Sequence, residues 1–160
     1  MEKYPSAVLY CNRKLKGCTF LIKDNATISL VSTQSDGKNS EQTELITRGR
    51  FEKKGDRYVI SYNETEATGF DGAVTELSVY GNQKVVLNRT GEYMSNLIVE
   101  MGKKHHCQYG TPYGDIIVGV NSKEINSNLT EKGGSLNFKY VIDVNSGYVG
   151  DFDISIDVKQ

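Results

Sequence analysis

The fold of this chain is decided by residues 136–158, which read LNFKYVIDVNSGYVGDFDISIDV. Apolar side chains occupy every second position in 136–144 and again in 152–158. Such alternation is typical of β-strands that have one dry face and one wet face. Ser146-Gly147, between the two runs, predicts that they form a hairpin.

The same pattern of short strands and turns continues through the chain from Asn25 onward. We predict eight further strands, at 26–33, 43–53, 57–65, 73–80, 84–89, 92–101, 104–109 and 115–124. No crossover helix fits between any two of them, which excludes parallel βαβ folds. A β-sandwich would also explain the alternation, but it needs longer Greek-key crossings. The short connections therefore favour an all-β fold with a single antiparallel up-and-down β-barrel of about ten strands.

The first 24 residues do not follow the strand pattern. Their charged side chains are five basic and two acidic ones, a net charge of +3: Lys3, Arg13, Lys14, Lys16 and Lys23 against Glu2 and Asp24. Pro5 and Gly17 interrupt any regular element. We predict that residues 1–24 form an irregular basic arm, or an extra edge strand around 18–23, and that residues 25–160 form one barrel domain.

Composition disfavours several classes of partner. The formal net charge of the 160 residues is −1, which provides no basic field for nucleic acid. No stretch approaches the roughly 20 apolar residues of a membrane helix. The three cysteines are an odd number, and the apolar run at 7–11 is too short for a signal-peptide core. We therefore expect a reduced, cytoplasmic protein with no nucleic-acid and no membrane partner; the oligomeric state is not predicted.

Familiar catalytic motifs are absent from the sequence, which has no Gly-x-Ser-x-Gly, no His-Glu-x-x-His and no paired Cys-x-x-Cys. His105-His106-Cys107 is the one cluster with metal-ligand elements. On a strand only His105 and Cys107 share a face, and two ligands do not complete a zinc site. A packed cysteine beside a hydrogen-bonded histidine explains the same residues. The sequence favours a protein without enzymatic activity, catalytic residues, metal or cofactor.

Alternation also predicts which side chains face the barrel lumen. Extending the apolar face that carries Tyr62 places Glu64 inside or at the barrel mouth, whereas Glu66 is expected on a solvated strand end. The candidate lumen residues chosen in this way are Tyr62, Glu64, Arg89, His105, Tyr109 and Tyr140. A buried arginine is costly unless it is paired. Arg89 is therefore expected to meet either a carboxylate such as Glu64 or the anionic group of a ligand.

Two hypotheses about function use these residues. In the first, the barrel binds a small amphipathic or anionic molecule in its lumen, with Arg89 and His105 fixing a polar head. In the second, the core is filled and ion-paired, and outer-face residues such as Ile46, Val86 or Ile117 contact other proteins. A third, hydrolytic hypothesis rests only on Glu64 acting with His105 and ranks last.

Four segments together resemble a known family: Tyr62–Gly69 (YNETEATG), Asn88–Gly91 (NRTG), Tyr109–Gly114 (YGTPYG), and Gly133-Gly134 before a Tyr-bearing strand. Their order and spacing resemble the YwiB-like family, a domain of unknown function found mainly in Firmicutes. The resemblance runs from about Asn25 to the last residue. It implies a lipocalin-like (calycin) β-barrel of bacterial, cytosolic origin and no particular reaction. The chain lacks the Gly-x-Trp of secreted lipocalins, so their ligands are not transferred to it.

Overall fold

A closed barrel of ten antiparallel strands dominates the structure. The computed structural model describes residues 7–10 and 19–160, with side chains from Lys23 onward. The strands are β1 (Ala7–Tyr10), β2 (Thr19–Ile22), β3 (Ala26–Ser35), β4 (Ser40–Lys54), β5 (Arg57–Asn63), β6 (Val74–Tyr80), β7 (Lys84–Thr90), β8 (Ser95–Glu100), β9 (Lys104–Thr111), β10 (Gly114–Thr130), β11 (Gly133–Val144) and β12 (Gly147–Lys159). From β3 to β12 each strand pairs with the next in sequence, and β12 pairs with β3. The predicted up-and-down barrel is confirmed.

The segment at the start of the chain forms no part of the barrel where the structure describes it. β1 and β2 pair in a separate two-stranded antiparallel sheet. β2 falls within the stretch predicted as an extra edge strand, but a closed barrel offers no edge for it to extend. Residues 1–6 and 11–18 lie outside the described residues, so the rest of the prediction for residues 1–24 remains a prediction.

β10 is the largest departure from the predicted strands, because it runs on to Thr130 instead of ending near Glu124. The inward side chains are Val118 and Val120 in its first part and Ile125 in its second, so the face changes from even to odd positions. A β-bulge between Ser122 and Glu124 causes this change, since one extra residue reverses every later side chain. The alternation is therefore interrupted in the sequence although the strand is continuous.

The strand predicted at 57–65 ends earlier, at Asn63, and a 3₁₀ turn follows at Glu66–Thr68. The Thr65 side chain caps this turn by accepting a hydrogen bond from the Ala67 amide at 3.3 Å. Gly69 ends the turn with a positive φ of 82°, which glycine adopts without strain. The strand predicted at 92–101 begins late, at Ser95, for a different reason: residues 91–93 form a bend.

The lumen has two ends with different contents. Because successive strands reverse direction, the connections at 36–39, 64–73, 91–94, 112–113 and 145–146 all lie at one end, which we call the mouth. Away from the mouth the lumen is filled by side chains that are at most 2 % exposed, and we call this the packed half: Ile28, Phe51, Val79, Val85, Val99, Leu136 and Ile156. The mouth end of the lumen is the open half. It contains the polar side chains described next.

The barrel wall is least regular between β8 and β9. These strands share a single ladder pair, Ser95 with Tyr109. The amide of Ile98, further along β8, donates to the Cys107 Sγ at 3.4 Å. This contact joins β8 to β9 where the two strands share no further ladder pair.

Candidate functional site

The open half contains a cavity of about 340 Å³. Three kinds of side chain line it. The aromatic ones are Tyr62, Phe70, Tyr109, Phe138, Tyr140 and Phe152, and the aliphatic ones are Leu30, Leu77, Leu87, Leu97, Ile142 and Ile154. The polar ones are Ser32, Gln34, Glu41, Thr43, Glu64, Thr68 and Arg89. This volume is near the lower end of the range for small-molecule sites, roughly 300–1,000 Å³. Five of the six predicted lumen residues line it. His105 does not.

A buried charged pair lies on one side of the cavity. The Arg89 Nη2 is 3.5 Å from the Glu64 Oε1, and the two side chains are 12 % and 2 % exposed. The expected carboxylate partner of Arg89 is therefore Glu64. The Thr75 hydroxyl links the two residues, since it donates to the Glu64 Oε1 at 2.6 Å and accepts from the Arg89 Nε at 3.3 Å. Both hydrogen bonds help to offset the cost of burying the charges.

The connection between β5 and β6 completes the environment of this pair. The Thr68 hydroxyl donates to the second Glu64 oxygen, Oε2, at 2.5 Å. The Phe70 ring lies under the guanidinium, with the Arg89 Cζ 3.7 Å from the ring centroid, which is a cation–π contact. Sequence reasoning missed Thr68 and Phe70 because strand parity does not extend into a turn. The only signal was an aromatic residue in an otherwise small and polar segment.

Glu66 lies in the first turn of the same connection and is exposed, as the sequence predicted. Glu64 and Glu66 therefore do not form a pair of carboxylates facing one substrate. With Glu64 bound to Thr68, Thr75 and Arg89, the carboxylate is a partner for the guanidinium. The geometry gives no support to acid–base chemistry by these two residues.

Two tyrosines present phenol groups at the cavity. Burial raises the pKa of Tyr62, and the nearby charge of Glu64 raises it further. Burial also raises the pKa of Tyr140, whose ring stacks on Phe152 with centroids 5.1 Å apart. Both phenols therefore keep their protons at neutral pH and remain hydrogen-bond donors. The Tyr109 side chain lines the same cavity from β9.

The structure separates His105 from the other predicted site residues. His105 is near the start of β9, and its Nε2 lies 3.2 Å from the Glu100 Oε2. The proposed joint action of Glu64 and His105 has no geometric basis, because Glu64 lies at the cavity and His105 does not line it. His105 has the same parity as the buried Cys107, and Glu64 continues the parity of Tyr62 just beyond the end of β5, but parity does not distinguish the two ends of the lumen.

Cys107 is buried in the core, and it does not have the environment of a nucleophile. Burial raises the pKa of its thiol, whereas reactive cysteines have a lowered pKa. In the part of the chain that the structure describes, no three His, Cys, Asp or Glu side chains are placed to hold a metal ion. No helix in this part is long and apolar enough to cross a membrane.

A second concavity, of about 400 Å³, lies on the outer wall across β6 to β9. Outward-facing polar side chains, Glu76, Asn88, Asn96 and Gln108, form much of its lining, and Arg89 borders both concavities. It is slightly larger than the lumen cavity. We assign the candidate site to the lumen because only there do a buried charged pair, phenol donors and apolar walls converge.

Chemically, the lumen cavity suits binding better than catalysis. A guanidinium has five N–H donors, and the contacts to Glu64 and Thr75 engage only part of that set. The remaining donors and the phenols can orient a polar head while the aromatic and aliphatic walls bury an apolar body. The Thr68 hydroxyl, which lines the cavity, does contact a carboxylate, but that carboxylate, Glu64, is also held by Thr75 and Arg89.

By its fold and its cavity, the protein is a closed ten-stranded antiparallel barrel with an amphipathic cavity at one end. The chain belongs to the family described as a domain of unknown function, DUF1934, which matches residues 28–156. It is similar to the crystal structure of the ywiB protein from Bacillus subtilis, with a TM-score of 0.68 and 22 % sequence identity over 84 % of this chain and 92 % of that one. The resemblance to the YwiB-like family is confirmed, and the structural likeness shows the fold. No curated protein matches the chain.

Proposed function

We propose that this protein is a cytoplasmic, lipocalin-like barrel that binds a small amphipathic molecule, with the polar head of the molecule at Arg89. The observation that carries the proposal is the cavity of about 340 Å³ that joins a buried guanidinium to aromatic and aliphatic walls. The head is an anionic or strongly accepting group, such as a carboxylate, because a guanidinium binds planar acceptors through two parallel N–H donors.

The arrangement around Arg89 supports a binding role. Glu64 and Thr75 restrain the guanidinium and Phe70 packs against one of its faces, so little side-chain freedom is left to lose when a ligand binds. The contact to Glu64, at 3.5 Å, is loose enough for a ligand oxygen to compete with it. An internal ion pair would stabilise the barrel without any ligand, but it does not require a cavity beside it.

The alternative, a protein-interaction barrel that uses its outer wall, is less well supported. Ile46 is 77 % exposed and Ile117 is 60 % exposed, whereas Val86 is half-buried. These residues lie on β4, β10 and β7, which are not neighbours in the barrel. They therefore do not form one continuous apolar patch of the kind that marks an interface.

The test is native mass spectrometry of protein purified gently from its own host, compared with the same sample after denaturation. We expect a reproducible extra mass that disappears on denaturation. Arg89→Leu should lose this mass, and so should Leu87→Trp, which fills the cavity and keeps both charged residues. Arg48→Leu, on the outer face of β4, is the matched control and should keep it. A clean apo mass for the unaltered protein would overturn the proposal.

A further inference from the structure

The charged residues around the mouth restrict the charge of the ligand further than Arg89 does by itself. The mouth connections carry five carboxylates, Asp36, Glu64, Glu66, Asp71 and Glu92, and a single basic residue, Lys38. The connections at the other end, 55–56, 81–83, 101–103 and 131–132, carry two acidic and two basic residues. Among the connections between the barrel strands, the excess of negative charge therefore lies at the mouth.

Glu64 is buried against Arg89, whereas Asp36 and Asp71 are exposed at the mouth. Asp36 accepts hydrogen bonds from the amides of Asn39 at 2.8 Å and Lys38 at 2.9 Å, which lower the pKa of its carboxyl group. Glu66 and Glu92 are also exposed. A sixth carboxylate, Glu41, lines the cavity itself from the start of β4. A simple anion must therefore cross a field of its own sign to reach Arg89.

Inside the cavity, Arg89 does not reverse this sign. Its charge is matched by Glu64, and Glu41 remains as an additional negative charge. The stacked rings of Tyr140 and Phe152 also line the cavity, and aromatic faces attract cations as well as burying apolar surface. An anionic group can therefore be bound at Arg89 on β7, while Glu41, on a different part of the wall at the start of β4, attracts a cationic one.

We infer that the ligand is zwitterionic: an apolar body with a carboxylate-like group at Arg89 and a cationic group at its other end, near Glu41 and the mouth. This inference rests on the proposed function and adds the charge of the ligand's second end. Glu41 is thereby a specificity-determining residue that distinguishes zwitterions from anions of the same shape.

The experiment measures the dissociation constants of three matched probes by calorimetry. The zwitterion is 3-[4-(aminomethyl)phenyl]propanoate, the anion is 3-(4-ethylphenyl)propanoate and the cation is 4-propylbenzylamine. At low ionic strength we expect the zwitterion to bind about tenfold more tightly than the anion, since one close charge pair is worth about that factor. Added salt should reduce the advantage.

Variants assign the effect to the mouth. Glu41→Gln should remove most of the zwitterion's advantage, whereas Glu44→Gln, on the same strand but exposed and outside the cavity, should leave it unchanged. An anion that binds as tightly as the zwitterion would overturn this inference and leave the proposed function standing. A cation that binds most tightly would also overturn it. Failure of both carboxylate probes to bind the folded protein would overturn the proposed function as well.

Discussion

The two halves of the lumen are built from the same strands yet have opposite properties. In the packed half, Phe51, Val85 and Leu136 are at most 1 % exposed and make an apolar interior. In the open half, the same strands contribute Arg89 and Tyr140, together with a cavity of about 340 Å³. One half is therefore a close-packed apolar core, and the other carries polar groups that such a core does not tolerate.

The contrast shows how a small barrel accommodates a buried charged pair. Arg89 and Glu64 lie where β7 ends and just after β5 ends, close to the mouth, so each is anchored by a strand and reached by turn residues. Thr68 and Phe70 come from the connection that follows β5. A pair in the middle of the packed half would have no turn nearby to supply such partners.

The largest expected effect comes from truncating one phenylalanine in each half. Phe51→Ala should lower the free energy of unfolding by about 3–5 kcal/mol, because it leaves a cavity in close-packed surroundings. Phe152→Ala, at the half-buried wall of the open half, should lower it by about 1–2 kcal/mol. Urea denaturation measures both values. Equal losses would show that the two halves are packed alike.

A smaller effect is expected from the charged pair. Glu64→Gln leaves the Arg89 guanidinium buried without a counter-charge, which should lower the free energy of unfolding by about 1–3 kcal/mol. Adding Arg89→Leu to this variant should recover part of the loss, since no unpaired charge remains. The control is Glu66→Gln in the same connection, which should change stability by less than about 0.5 kcal/mol. If Glu64→Gln behaves like Glu66→Gln, the pair does not stabilise the open half.

The smallest effect at neutral pH is expected from the buried tyrosines, because their contribution to the free energy of unfolding changes only in alkaline solution. Burial raises the pKa of Tyr140, so the folded protein holds the phenol proton to a higher pH than the unfolded chain, in which tyrosine titrates near 10. This difference in pKa stabilises the folded protein fully below about pH 10. The stabilisation is lost as the pH rises from there toward the pKa of the folded state, by about 1.4 kcal/mol per pH unit.

Urea midpoints at pH 7, 10 and 11 measure this loss. Tyr140→Phe should weaken the alkaline decrease, whereas Tyr113→Phe, at a fully exposed position, should not. If the two variants follow the same pH profile, the Tyr140 phenol does not titrate differently in the folded and unfolded states.

Much of the fold and part of the site follow from the sequence. Period-two alternation predicts the barrel and the inward face of most strands, including the meeting of Glu64 with Arg89. It fails at Lys123, where the bulge of β10 reverses the face. It also assigns His105 to the site, because parity says which face a side chain takes and nothing about its height in the barrel. Height depends on the stagger between neighbouring strands, which local sequence does not encode.

The division of the lumen is tested most directly by methyl NMR during titration with the zwitterionic and anionic probes. Leu87, Ile142 and Ile154, in the open half, should change their methyl shifts in a saturable way. Ile28, Leu136 and Ile156, in the packed half, should stay unchanged and serve as internal controls. Shifts confined to surface methyls such as that of Ile46, or spread equally over both halves, would contradict a ligand site in the open half.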